Sequence, residues 1–377
     1  MTERHDIEAA FQRGLAAHRA GRLAEAEAAY RETLGHAPHR AAAHNLGGIL
    51  SDQFRFPESE WAYRVCLAVK PDYASALSGL SVPLMRMHRL EEAEAAARRA
   101  LEIAPDDRVA AYRLGLILLR QGRYAEGWPW YESRSTIDDI PLGGVAFPRW
   151  SGEPLQGRSI LIWGEQGLGD EIQMARFIPT LRELGASRIT VACQTENIRL
   201  FEAVGADAAM GRFGRVEFPD HDFWTPMLSL PLHLGVTLEK LTGAPYLAKP
   251  ERPRKGVGVA WRGNPRNTND AHRSMPDARL LSLIPGAIEL APAGDMLDSL
   301  HMLAGLEAVV TVDTSWVHLA GAAGIPCHLL LSIFGVDWRW RPGEARSPWY
   351  DSVHLHWQTT PGDWDAPVRK VVEAVTP

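Results

Sequence analysis

The sequence predicts an α-helical solenoid followed by an α/β region made of two Rossmann-like lobes, and three observations lead there. An arginine recurs at intervals of 33, 34 and 34 residues through the first third of the chain. Near residue 150 the pattern switches to short β-rich runs separated by helical stretches. A proline-rich stretch, 246–256, then divides those runs into two sets. The expected organisation is a repeat module over 1–135, a linker over 136–156, a first lobe over 157–247 and a second lobe over 255–377.

The repeat rests on Arg22, Arg55, Arg89 and Arg123, each followed by an apolar residue (Leu23, Phe56, Leu90, Tyr124). Four positions after each arginine stands a small residue: Ala26, Ser59, Ala93 and Gly127. Pro38, Pro71 and Pro105 close the first three units at the same period. Small residues let two antiparallel helices approach closely, and a proline stops the second of them. One helix pair cannot bury its apolar face alone, so several must stack.

In the second region, "SILIW" (159–163) and "RITVAC" (188–193) flank the helical "DEIQMARFIPTLRELG". "GVGVAW" (256–261), "AIELA" (287–291) and "AVVTV" (308–312) form the second set. Strands alternating with helices at this spacing predict parallel sheets covered by helices. Ligands of such sheets bind beyond the carboxyl ends of the strands, so the loops after these runs are the places to search.

Composition narrows the function. The chain has 377 residues, 46% hydrophobic and 23% charged, as ordinary globular proteins do. Its net charge of −6 argues against general nucleic-acid binding, which needs a basic face for phosphate. Cys66, Cys193 and Cys327 match neither a metal spacing nor a disulfide framework, so a reducing compartment is expected. No apolar run reaches the ~20 residues that cross a bilayer, and the charged N-terminus does not read as a signal peptide. The expectation is a cytoplasmic protein.

Three strand-end loops can carry chemistry. "WGEQGLGDE" (163–171) offers Gly167 and Gly169 for tight turns, with Glu165 in the loop and Asp170 at or near a helix start. Asp170 can equally be a helix cap, a role worth ~1 kcal/mol. "WRGNPRNTNDAHRSMP" (261–276) concentrates Arg262, Arg266 and Arg273, whose forked donors suit diphosphate oxygens; arginines facing water are the alternative. "VVTVDTSWVHLAGAAGIP" (309–326) ends a strand at Asp313 and starts a helix near Thr314 or Ser315. Free amides at that helix start would face an anion, with His318 on the same side of the first turns, as a contact or a packed core residue.

The repeat resembles tetratricopeptide repeats over roughly residues 6–135. In the tetratricopeptide array of protein O-linked N-acetylglucosamine transferases, asparagines line the groove and bind the acceptor backbone. Asn45 resembles such a residue, and the equivalent later places read Ser78 and Tyr112 or Arg113. The phrases "EQGLGDEIQMARF", "AWRGNPRN", "PMLSLP", "VDTSWVHLAGA", "DWRW", "SPWY" and "GDW" resemble, in order, those of heptosyltransferase-like glycosyltransferases (glycosyltransferase family nine). That resemblance implies a two-lobed GT-B fold and hexosyl or heptosyl transfer from a nucleotide-sugar to an acceptor hydroxyl. It implies no cofactor and no metal.

By the same resemblance Asp170 would be the general base, and Arg273 a contact to the donor diphosphate. Gly167, Gly169, Arg262, Asn264, Asp313, Thr314, Ser315 and His318 would surround the donor, with Trp338 lining the cleft. Asn45 and Glu165 would meet the acceptor, expected to be a protein or peptide held by the repeat groove. Two departures stand out. The stretch between "AIELA" and residue 295 is shorter than the family pattern, and Glu171 replaces a threonine beside Asp170. Glu171 either perturbs its neighbour or points to solvent. The alternative function is an inactive scaffold that keeps the fold and works through its repeats.

Overall fold

A computed structural model describes residues 2–135, 140, 147–214, 218–267, 269–291, 294–334 and 337–376, with side chains from residue 5 onward. Within the expected linker, 136–156, residues 136–139 and 141–146 lie outside the described residues. The chain divides into two compact units, Met1–Arg134 and Ser135–Pro377.

The first unit is four antiparallel helix pairs: α1 (Thr2–Arg19) with α2 (Leu23–His36), α3 (Arg40–Asp52) with α4 (Phe56–Val69), α5 (Ala74–Arg86) with α6 (Leu90–Ile103), and α7 (Arg108–Arg120) with α8 (Tyr124–Tyr131). The recurring small residues do what their size allows. Ala26, Ser59 and Ala93 are fully buried, and a β-carbon on Gly127 would come within 2.9 Å of Leu119. Pro38, Pro71 and Pro105 each lie two residues past the end of the second helix of a pair.

The recurring arginines have a role that their period alone does not announce. Arg55 bonds Glu58 three residues on and Glu27 in the preceding pair, while Arg31 bonds the same two glutamates. Arg89 and Arg64 treat Glu92 and Glu60 alike, as Arg123 and Arg98 treat Glu126 and Glu94. Three closed rings of two arginines and two glutamates therefore tie each second helix to the next. The inner glutamates of the rings are only 15% exposed, which separates these networks from isolated surface pairs of little worth.

The second unit begins with β1 (Ser159–Trp163), α9 (Leu168–Met174), α10 (Phe177–Glu183), β2 (Arg188–Cys193), α11 (Ile198–Ala203), β3 (Ala208–Gly211), β4 (Phe223–Pro226) and α12 (Leu230–His233). A second set follows: β5 (Val257–Ala260), α13 (Asp270–Arg273), α14 (Arg279–Leu283), β6 (Ala287–Glu289), α15 (Met296–Leu303), β7 (Ala308–Val312), α16 (Ser315–Ala322), β8 (Cys327–Leu331), β9 (Val353–Trp357) and α17 (Asp365–Val375). The strands make two sheets, β3-β2-β1-β4 and β6-β5-β7-β8-β9, and every pairing is parallel. The order reverses beside β1 in the first sheet and between β5 and β7 in the second. The three loops singled out in the sequence leave the carboxyl ends of these same strands.

The sheets are joined by contacts on their helices. α9 packs on α16 and α11 on α15, where Arg199 bridges to Asp295 and Asp298. The proline-rich connection carries no helix or strand. Tyr246 and Leu247 both donate backbone N–H groups to the Ala322 carbonyl at the end of α16, and the Tyr246 hydroxyl donates to the Ile172 carbonyl in α9.

At the far edge of the second sheet, His328 stands opposite His354 on β8 and β9, and its Nδ1 lies 3.0 Å from Nε2 of His356. Burial, with His354 and Arg346 beside it, pushes His328 down to about 4; burial and the neighbouring histidines do the same to His356, with Lys370 adding to the effect. A histidine depressed below its unfolded value of 6.5 supplies stability that is present above that value and lost as pH falls through the folded pKa. The melting temperature is therefore expected to fall as pH drops from 6.5 towards about 4, by roughly 2–4 °C per kcal/mol lost in a unit of this size. His328→Gln should flatten that slope; an unchanged slope in a melting series would refute the assignment.

Candidate functional site

The three strand-end loops meet around one cavity of about 1000 Å³. From the first lobe it receives Gly167, Gly169, Asp170 and Gln194. From the second it receives Arg262, Asn264 and Arg273 after β5, and Asp313, Thr314, Ser315 and His318 around the start of α16. The loop after β6, short as it is, contributes Glu289, Leu290 and Ala291.

Close approach of the lobes is set by a glycine. A β-carbon on Gly169 would lie 2.5 Å from Cδ2 of His318, so α9 can pack on α16 only with hydrogen at this position. His318 is 6% exposed, and its Nδ1 is 2.9 Å from the Tyr350 hydroxyl. Burial, reinforced by Arg339 and Arg176, holds the imidazole well below its ordinary value, so it is neutral at pH 7. His318 is thus a packed histidine that also lines the cavity.

Asp170 is the third residue of α9, with Gly167 as the N-cap. Its Oδ2 accepts the Gly167 N–H at 2.9 Å, a capping contact, and its Oδ1 accepts from Nη2 of Arg339 at 2.6 Å. The guanidinium reaches Asp170 from the other lobe, and it also bonds Asp337 at 2.9 Å and Oε1 of Gln173. Arg339 is 2% exposed and Asp170 19%; both line the cavity, and the acid presents the larger surface to it. Burial pushes the Asp170 carboxyl up against the pull of Arg339.

Across the cavity, burial and the Asp337 carboxylate raise Asp313 to about 6, against Arg273 and Arg339. Arg273 is itself held by Asp270 at 3.2 Å, while the Arg262 guanidinium lies 4.7 Å from the centre of the Trp261 ring. Thr314 caps α16, its Oγ1 accepting the Trp316 N–H, and strand β7 ends one residue before Asp313. Asn264 shapes its own loop by accepting the Arg266 N–H.

Three expectations, those for Glu165, Trp338 and Glu171, are corrected. Glu165 is 3% exposed and accepts the Leu228 N–H at 3.0 Å, so it braces the loop after β4 and is not presented to an acceptor. Trp338 does not line the cavity; it is 5% exposed, under the Arg339 guanidinium and edge-on to Trp349. Glu171 faces neither solvent nor the cavity. It is fully buried, accepts from the Gln194 amide, Asn197 and Arg212, and burial lifts it to about 7. Asn45 stands apart from the cavity on α3 of the repeat unit, half-buried, with Nδ2 donating to the Tyr30 hydroxyl at 3.1 Å. Arg339 is the one cavity arginine that the strand-end loops do not contain; it lies in the run Asp337–Trp340.

The first unit is a tetratricopeptide-repeat array, and a tetratricopeptide repeat model matches residues 83–138. The chain thus joins such an array to a region of parallel α/β sheets. Protein FlbA of Caulobacter vibrioides is 26% identical over 69% of this chain, which spans about half, 53%, of that relative's length. Solved structures similar to part of the chain include MamA 41-end from Desulfovibrio magneticus RS-1, 20% identical, covering 33% of this chain and 72% of that one, with a TM-score of 0.32. The first TPR of Spaghetti (RPAP3) bound to HSP90 peptide SRMEEVD is 21% identical, covering 30% of this chain and 90% of that one, with a TM-score of 0.29. No helix among the described residues is long and apolar enough to cross a membrane.

Arg339 is a buried cation bonded to two partly exposed carboxylates, so Arg339→Met should cost about 1–3 kcal/mol in denaturant unfolding, the usual consequence of leaving hydrogen-bonded polar groups without their partner. The cost should shrink in an Asp170→Asn background. Equal costs in both backgrounds would show that Asp170 and Arg339 are not coupled.

Proposed function

We propose that the α/β unit is a glycosyltransferase of GT-B type, acting on a protein recruited by the tetratricopeptide array. One observation carries the reading: loops from the switch points of two facing parallel sheets enclose a single cavity, with Asp170 on one wall and Arg262, Arg273 and the start of α16 on the other. In this reading the two guanidiniums and the α16 amides hold the diphosphate of a nucleotide-sugar. Asp170 removes the proton from the acceptor hydroxyl, the oxygen bonds the anomeric carbon, and the bond from that carbon to the diphosphate breaks. The arginines and helix start receive the charge that leaves with the nucleotide.

Asp170 is suited to this role by its partial exposure, and its contacts keep one wall of the carboxylate fixed. The Gly167 amide and Arg339 set its orientation, while burial keeps it basic enough to accept a proton. His318, neutral at pH 7, contributes shape rather than charge.

A second reading is favoured by the same pair of contacts. Both oxygens of Asp170 are already engaged, one of them by an arginine from the opposite lobe, as expected of a clasp in a scaffold that retains the fold without the reaction.

Incubating the full chain with radiolabelled nucleotide-sugars and cell lysate separates the two. Transferase activity predicts label in protein. Asp170→Ala should lower the rate by about 10²–10⁴-fold with nucleoside diphosphate binding retained, the effect expected of a lost general base. Arg273→Ala should weaken nucleoside diphosphate binding instead. Absence of label with every donor, together with no nucleotide-induced rise in melting temperature, would leave the scaffold.

A further inference from the structure

The first lobe holds a buried polar network that the proposed chemistry does not use. Glu171, fully buried on α9, collects donors from the ends of two strands: the Gln194 backbone amide at 2.9 Å past β2, Nδ2 of Asn197 at 2.8 Å, and Nε of Arg212 at 3.0 Å past β3. A β-carbon on Gly164 would collide with its Oε1, so the loop after β1 closes over the carboxylate as well. Buried ion pairs add little stability over apolar packing of similar volume, so the question is what this one holds in place.

It holds one peptide group. Arg212 keeps Nε on Glu171 and extends Nη2 to the Gln166 carbonyl at 2.7 Å, where Nε2 of Gln194 also donates at 3.2 Å. Gln166 has a φ of +58°, a left-handed conformation uncommon for a residue with a β-carbon, and these donors offset its cost. The other end of the same peptide is the Gly167 N–H, which donates to Oδ2 of Asp170 at 2.9 Å. A trans peptide is planar, with its carbonyl and its N–H pointing opposite ways, so fixing the one aims the other. The contacts therefore run from Glu171 through Arg212 and the Gln166–Gly167 peptide to the side chain of Asp170.

We infer that Glu171 and Arg212 are positioning residues for Asp170, acting through the orientation of the Gln166–Gly167 peptide rather than through their charge. The inference rests on Asp170 as the proposed base and adds the device that aims it. Arg339 and Asp337, which face Asp170 from the second lobe, take no part in this chain of contacts. Glu171 is faced by Arg212, by Asp170 and by the buried Cys193 thiol. The two routes from Glu171 to Asp170 differ in sign. Through space, one carboxylate repels the other, so removing the Glu171 charge would make Asp170 easier to ionise. Burial raises the Asp170 carboxyl, and the Gly167 N–H is one of the contacts that resist the rise. Through the peptide, losing Glu171 frees that N–H, and Asp170 becomes harder to ionise.

The test follows the Asp170 carboxyl by NMR against pH in the full chain, without substrate, with Asp170→Asn identifying its signal. Glu171→Gln removes the charge. Arg212→Lys keeps a cation beside Glu171 but loses the fork that serves carboxylate and carbonyl together. Both substitutions should raise the Asp170 midpoint. A fall with Glu171→Gln, or no change with Arg212→Lys, would overturn the inference. Gln166→Gly, which takes the left-handed φ without strain, should return the midpoint towards its original value in either background. If Glu171→Gln does not fold, Arg212→Lys with and without Gln166→Gly decides alone. In transfer assays both substitutions should lower kcat, by up to roughly 10²-fold for a displaced base, with KM for the nucleotide-sugar and nucleoside diphosphate binding unchanged. A matching loss of nucleoside diphosphate binding would show general damage to the unit and overturn positioning. A raised midpoint in a chain that transfers no label keeps the peptide device and removes the transferase reading. Active transfer with an unmoved midpoint does the reverse.

Discussion

The arrangement of the α/β unit depends on the contact of α9 with α16. Gly169 supplies the missing side chain that lets the helices touch, and His318 fills the space against it. Every catalytic or binding proposal for this unit inherits that contact, because it brings the loop after β1 to the loops after β5 and β7. Arg339 then fixes the distance electrostatically. It is a buried cation with Asp170, Asp337 and Gln173 as partners, and the desolvation of the group is offset only while those partners stay in place. Shape and charge thus act on the same few residues.

The repeat unit is held by a different device. Its helices approach through alanine, serine and glycine at the pair contacts, and buried residues such as Tyr30, Leu46, Tyr63, Leu84 and Ile117 fill the space between them. The rings of two arginines and two glutamates act between pairs, beside close contacts such as that of the Tyr63 ring on Gly79. Each ring reaches from one second helix to the next, so it couples neighbours rather than stabilising one pair alone. Repeat arrays behave as chains of coupled units, and here much of the coupling on the outer side is polar.

How much of this was legible in the sequence varies with the physics of each element. The strands β1 and β7 are fully buried and β2 is buried beyond Arg188; all three are runs rich in β-branched residues, and their limits matched the sequence reading to the residue. β3 is built of alanine, methionine and glycine, and β4 is a short run ending in proline, so neither carried a propensity signal. β8 and β9 hide behind their histidines. The period of Arg22, Arg55, Arg89 and Arg123 was plain, but its reason lay in glutamates 28 or 29 residues earlier, visible only once the helices are stacked. Asp170 was recognisable because a cap is local. Arg339 was not, because its partners stand 166 and 169 residues away. Glu165 misled for the same reason, its carboxylate being committed to an amide 63 residues on.

The connection between the two sheets has a mechanical consequence. Because Tyr246 and Leu247 share the Ala322 carbonyl and the Tyr246 hydroxyl holds α9, this segment is pinned to both lobes. Lys249 adds a further bond to the Ala323 carbonyl. Any rocking of one sheet against the other must therefore bend this strap or break its bonds, so a connection without regular secondary structure limits how far the lobes can travel apart.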